Sequence, residues 1–383
     1  MNRGSLQATG IALGGLTALA AAVGIGRFVY TPILPYMLDG LGLSKAEGGL
    51  LASANFLGYL LGALAASAVA LPGGQRGWFL SALAMSALTT AAMGIHPHMA
   101  LFLGLRFAGG VASAFVLVLS SALILDRLAA LRRPALSAVH FAGVGSGIAM
   151  SALLVSQLAE SGHGWRMLWF ASGAVSLLAL GAALWLVPRE QSVARPAAPS
   201  RGAHTNRRLI ALIVAYGLFG FGYVITATFI STMVRATPEI RSIEPQVWLV
   251  VGLAAVPSVA LWTWIGRRLG NDRSFAIACI VEAAGVVMSV LATGALAIVL
   301  SAAMLGGTFM GLTALGLIHA RDISNGDPRR SLGLMTAAFG LGQMIAPTLA
   351  GIVYDLSGSL LLPSLAAAAG LLISAGLVTR TRA

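Results

Sequence analysis

The chain has 383 residues, of which 58% are hydrophobic and only 9% charged, and so few charges cannot clothe a water-soluble globule. An ordinary soluble enzyme is thereby excluded. Twenty-three arginines and the single Lys45 stand against 12 acids to leave a formal charge of +12, and in a chain this apolar the excess belongs in loops facing anionic lipid headgroups, not on a nucleic-acid surface.

Stretches free of Asp, Glu, Lys and Arg run over 4–26, 48–75, 77–105, 107–125, 134–159, 167–188, 209–234, 245–266, 283–320, 331–354 and 356–379. Each is long enough to cross a bilayer, which takes about 20 apolar residues. The interval 283–320 breaks at Ala292-Thr293-Gly294 and the one before it is completed through Glu282, so twelve helices are expected. The first stretch has one preceding arginine, Arg3, and no small-residue cleavage site, and it continues through Arg27 towards Met37, which reads as a first helix and not a signal peptide. Barrel strands would need an alternating polarity that is absent, so the fold class expected is an all-α polytopic membrane protein. Cys279 stands alone in an apolar run, so no disulfide framework or cysteine metal cluster is available.

Assigning the connectors alternately to two sides puts 18 basic residues on one and four (Lys45, Arg166, Arg235, Arg241) on the other, with Arg27 and Arg106 inside helices. The positive-inside rule places both termini in the cytoplasm. The longest polar connector, 188–207, is rich in Pro, Ser and Arg and falls near the midpoint, so it reads as a cytoplasmic linker between six-helix halves 1–187 and 208–383. A shift of 196–197 residues aligns Gly24-Ile-Gly26 with Gly220-Phe-Gly222, Arg76 with Arg273, Ser161-Gly162 with Ser357-Gly358, and Arg132-Arg133 before Gly143-x-Gly145 with Arg329-Arg330 before Gly340-x-Gly342. Two parallel halves with a site between them is a transporter plan.

Twelve helices, a 6+6 duplication and a basic central linker resemble the major facilitator superfamily along the whole chain. The Arg106-Phe-Ala-Gly109-Gly110 segment is similar to that family's helix-4 pattern, and Gly143-Val-Gly145-Ser-Gly147 partly to the glycine-rich helix 5 of its exporters. The loop after helix 2, Leu71-Pro-Gly-Gly-Gln-Arg76, lacks the family's Asp-and-basic lock, which must be weakened or supplied elsewhere. Gly24-Ile-Gly26-Arg27-Phe-Val-Tyr30-Thr-Pro32 and Phe339-Gly-Leu-Gly-Gln343-Met-Ile-Ala-Pro347 resemble the bacterial YbfB/YjiJ-type branch. The resemblance implies a multi-pass transporter of the bacterial inner membrane, and no enzyme.

The sole lysine follows Ser44, so no nucleotide-binding phosphate loop is possible and the energy must come from a gradient. Arg27 and Arg106 both fall roughly 12–15 Å inside the outer membrane surface, too deep to snorkel, so each should face protein or a watery cavity. Two permanent cations with no acid at that depth in the first half select anions, carboxylates above all, through paired hydrogen bonds. The bland alternative has Arg106 pinning helix carbonyls and Arg27 pairing with a polar neighbour such as Asn55. Tyr30, Asn55, Tyr59, Tyr223 and Gln343 complete the expected substrate site, Tyr223 being the repeat partner of Arg27. Proton-coupling candidates are His140, Glu282 and Asp126, and Glu282 reads first as a protonated, hydrogen-bonded packing residue. Arg321 and Asp322, near His319, are expected at an inner gate. His96 and His98 are too few for a metal site.

The expectation is therefore a monomeric secondary transporter that carries a small organic anion with a proton by alternating access, lies in lipid, and needs no cofactor, metal or nucleic acid. An exporter of amphipathic drugs or metabolites is the alternative, and a polytopic membrane enzyme the remote one.

Overall fold

The computed structural model describes residues 3–68, 72, 74–187, 207–291, 294–324 and 328–380. The linker proper lies outside them. Twelve rods are present: α1 (Arg3–Leu41, interrupted), α2 (Lys45–Ala68), α3 (Gln75–Ala92), α4 (Met99–Ala130), α5 (Ser137–Glu160), α6 (Trp165–Leu186), α7 (Arg207–Ala236), α8 (Glu244–Leu269), α9 (Asn271–Leu291), α10 (Ala295–Ile323), α11 (Pro328–Ser357) and α12 (Leu361–Arg380). Eleven are long and apolar enough to cross a membrane; the exception, α3, carries Ser81, Ser86, Thr89 and Thr90 and packs between α4 and α6.

The duplication is visible in which helices touch. In the first half α1 packs on α5 and α6, α2 on α4, and α3 on α4 and α6; in the second α7 packs on α11 and α12, α8 on α10, and α9 on α10 and α12. Between halves α2 lies along α11 and α5 along α8, with the outer part of α1 against α7. Lipid offers no hydrophobic drive for helices to associate, so small residues that let backbones meet supply the packing. A Cβ on Gly110 would collide with the Asn55 carbonyl, and one on Gly306, the same position 196 residues later, with the Val251 carbonyl.

Ala18–Pro35 of α1 and Gly222–Thr232 of α7 are buried on every side, whereas the N-terminal stretches of both helices alternate buried with exposed positions. These two central helices are thus enclosed only beyond their N-terminal stretches. Outward surfaces are apolar, with Trp185 92% and Leu356 84% exposed, as a lipid-facing surface requires.

Candidate functional site

The regular ladder of α1 fails where the site is. A π-helical segment, Ala20–Ile25, is followed by turns over 26–29 before the helix resumes at Tyr30. Pro32 brings no N–H and disfavours helical geometry at Thr31, whose N–H bonds back only three residues, to the Phe28 carbonyl at 3.2 Å. Gly24 meets α5 so closely that a Cβ would stand 2.6 Å from Gly147 Cα. A widened turn of this kind re-aims side chains, and π segments recur at functional sites. Here it carries Arg27 to the contact between halves.

Arg27 is 5% exposed. Its Nη2 donates to Gln343 Oε1 of α11 at 2.9 Å, and Gln343 Nε2 donates in turn to the Tyr223 hydroxyl of α7. The guanidinium carbon lies 4.1 Å from the Tyr59 ring centre and 4.7 Å from that of Phe56. Its Nε has no hydrogen-bond partner among the described residues. Tyr223 is stacked between Phe309 (5.7 Å, 11°) and Phe339 (6.0 Å, 9°). The result is a cation joined to the opposite half through one amide and walled by aromatic rings.

Beside it is a cavity of about 170 Å³ with walls from α1, α2, α4 and α5 and from their counterparts α7, α8, α10 and α11. Arg27, Phe28, Tyr59, Tyr223, Phe309 and Phe339 form its polar and aromatic part, and Ser120, Phe141, Met310 and Thr313 continue it. No acid is among the lining residues.

The other arginine has a different setting. Arg106 Nε and Nη2 reach the carbonyls of Leu51 and Arg27, both at 3.4 Å, with its guanidinium carbon 4.5 Å from the Tyr30 ring centre. Tyr30 donates to the Gly48 carbonyl at 2.6 Å, and Asn55 Nδ2 to the Arg106 carbonyl at 2.8 Å. None of these three lines the cavity. They tie α1, α2 and α4 together behind Arg27, so the structure divides the expected substrate residues into a cavity set (Arg27, Tyr59, Tyr223), the bridging Gln343, and a buttress set (Arg106, Tyr30, Asn55).

His140 is wholly buried, with Nε2 3.2 Å from Ser120 Oγ. Ser120 Oγ also lies 2.6 Å from the Leu117 carbonyl, so one hydroxyl touches both its own helix and the imidazole. Nδ1 points to α1 at Gly15, where any Cβ would strike it. Because Ser120 lines the cavity, His140 is one hydroxyl removed from it. Glu282 is also fully buried, within the second half, and neither carboxyl oxygen has a hydrogen-bond partner among the described residues. Asp126, Arg321 and Asp322 are exposed; Asp322 accepts from Asn271 at 2.9 Å within its own half. His96 and His98 are exposed in the α3–α4 loop, and the described residues contain no group of three potential metal ligands.

Contacts at the outer end were not foreseen. Arg235 of α7 bonds Asp39 of α1 across the halves and Glu244 of α8, each at 3.1 Å, over the Tyr36 ring at 4.0 Å. Asp355 of α11 accepts from the backbone N–H groups of Lys45 and Ala46, capping α2 from the opposite half. Thr31 donates to the Ala227 carbonyl at 2.6 Å and Thr348 to Ser53 Oγ at 2.7 Å. Asp39 and Arg235, like Thr31 and Ala227, are 196 residues apart, so equivalent positions of the two repeats meet along their pseudo-two-fold axis. Opposite charges at the repeat offset were the available signal for the first pair.

A two-halved helical membrane protein with a walled site at the centre of its interface is a transporter of the major facilitator class. The chain belongs to the family described as uncharacterised MFS-type transporter YbfB, whose model matches residues 19–379. It is 22% identical over 355 residues to multidrug resistance protein 2 of Bacillus subtilis (strain 168), covering 88% of this chain and 86% of that one. It is 27% identical over 261 residues to the MFS-type transporter YceJ of the same organism, 65% of each. Among solved structures, the nucleoside transporter NupG superposes with a TM-score of 0.70 at 15% identity over 100% of this chain and 99% of that one. A bacterial homolog of the human lysosomal transporter Spinster, inward-facing and occupied, gives 0.67 at 16% over 97% and 96%. These folds and this family are those of transporters, not enzymes.

Proposed function

We propose that the chain is a secondary transporter of the bacterial inner membrane, both termini cytoplasmic, that carries a small organic anion, a carboxylate, together with a proton by alternating access. The observation that supports this best is Arg27: a permanent cation on the cavity wall with no acid beside it, bonded through Gln343 to Tyr223 of the other half. A carboxylate competes with the Gln343 amide oxygen for the same guanidinium, so loading the site loosens a tie between halves. Charge-assisted paired bonds outmatch an amide acceptor, which gives the ligand the differential affinity for two states that reorientation requires. The proton is assigned to His140 through Ser120. Glu282, with no link to the cavity wall comparable to the Ser120 bridge, is the second coupling site to test.

The test is accumulation in proteoliposomes. A carboxylate that stabilises the purified protein thermally should accumulate on an imposed proton gradient and leak back when a protonophore is added. His140→Ala should abolish that accumulation while sparing counterflow exchange, which needs only reorientation of loaded protein. Accumulation that ignores pH but follows sodium overturns the proton assignment.

Export of amphipathic drugs is the second reading, favoured by the likeness to a multidrug resistance protein and by the apolar wall. A protein stabilised by lipophilic cations and by no carboxylate would establish it over the first.

A further inference from the structure

The cavity's chemistry narrows the anion. We propose that its occupant is a monovalent carboxylate borne on a single planar aromatic ring, an inference that rests on the anion reading above. One cation lines the space, so one negative charge is matched and a second would be buried against rings without a partner. The hydroxyl protons of the two aliphatic alcohols on the wall are already committed. Ser120 donates to the Leu117 carbonyl, Thr313 to the Phe309 carbonyl at 2.9 Å, and the Tyr223 oxygen receives Gln343. A polyol, sugar or nucleoside carries more hydroxyls than the few polar groups of this wall can pair, and each one left unpaired costs about 1–3 kcal/mol.

What the wall does offer is ring surface. Phe28 meets Phe309 edge-on at 5.9 Å and 72°, while Tyr223, Phe309 and Phe339 stand nearly parallel. Aromatic ligands gain from such edge and face contacts beyond the area they bury. The volume, about 170 Å³, suits one ring and falls short of the roughly 300 Å³ at which drug-sized pockets begin. Arg27 is the cation on this wall that a carboxylate would pair with, and its Nε has no hydrogen-bond partner among the described residues.

Calorimetry on the purified full-length protein with five probes tests this: benzoate, cyclohexanecarboxylate, succinate, benzyl alcohol and benzyltrimethylammonium. Benzoate should bind most tightly, cyclohexanecarboxylate about tenfold more weakly, and succinate and benzyl alcohol at least a hundredfold more weakly. Arg27→Gln should remove benzoate binding. Phe309→Leu, if it keeps the parent's melting temperature, should narrow the gap between benzoate and cyclohexanecarboxylate; should it fail to fold, the ratio of those two ligands in the parent decides alone. Equal binding of the two ring acids, or tighter binding of succinate, overturns the aromatic inference and leaves the anion reading standing. Binding of benzyltrimethylammonium with no carboxylate overturns both. Binding of none of the five overturns the inference for this cavity.

Discussion

The two halves repeat a backbone and diverge in charge. Counting 196 residues on from the first half, Gly110 against Asn55 becomes Gly306 against Val251, and the close helix crossing is kept. Arg27 becomes Tyr223, Arg106 becomes Ala302, His140 becomes Thr336 and Ser120 becomes Gly316. Conversely the buried acid of the second half, Glu282, stands where the first half has Ser86, itself buried with a hydroxyl that has no hydrogen-bond partner among the described residues. Packing sites tolerate little change because an added methyl group at a backbone crossing has nowhere to go. The polar positions carry no such constraint, so the duplicated scaffold holds an asymmetric site, cationic on one wall and aromatic on the other.

Four experiments break or sharpen that asymmetry. The largest effect should come from Arg27→Ala, which removes the charge and the planar fork of N–H donors: carboxylate affinity should fall at least about a hundredfold by calorimetry. Its repeat partner is the control, since Tyr223→Phe keeps the stack and loses only the hydroxyl, a change worth less than about tenfold. Equal losses in the two variants would mean that charge is not what the first half contributes.

Arg106 sharpens the same contrast on stability. Arg106→Ala leaves a void among α1, α2 and α4 and should destabilise the detergent-solubilised protein by roughly 2–4 kcal/mol. Arg27→Ala should lower the melting temperature less. A reversed order would show that Arg106, not Arg27, is the replaceable cation.

Gly15 and His140 form a keyed pair, and Gly15→Ala should displace the imidazole. The expected outcome is proton-driven accumulation several-fold below the parent, with counterflow exchange retained. Full accumulation in Gly15→Ala would separate His140 from coupling.

The smallest effect belongs to the outer end. Asp39 is 66% exposed at its side chain, so its pair with Arg235 is worth about 0.2–1 kcal/mol after solvent screening. Asp39→Asn should raise maleimide labelling of an Ala227→Cys reporter, in a Cys279→Ser background, by no more than about fivefold, and high salt should mimic it in the parent. Labelling unmoved by both treatments would mean that the pair does not hold the two halves together at this end.

Much of this molecule was legible before any coordinates. α9 ends at Leu291 and α10 begins at Ala295, on either side of the expected break, of which Ala292 and Thr293 lie outside the described residues, and the repeat offset is the spacing at which Thr31 meets Ala227 and Asp39 meets Arg235. Such features are written locally, because every backbone group in lipid must bond within its own segment, so charge-free length alone marks a crossing. The asymmetry between Arg27 and Arg106 was not legible. Both are deep arginines, and depth demands a protein partner without naming it.

Partners were settled by chain segments far apart in sequence: Gln343 lies 316 residues from Arg27, and Asp355 lies 310 from Lys45. Hydropathy constrains how often a helix is apolar, and it is silent on which face of one helix meets which face of another. The sequence by itself therefore determined the helical class of the fold and the burial of two cations. Only the packing of α11 against α2 and α7 decided that one cation would close a bridge across the halves at a cavity wall while the other held three helices in place, because that choice depends on rotation about helix axes and on the π turn at Ala20–Ile25.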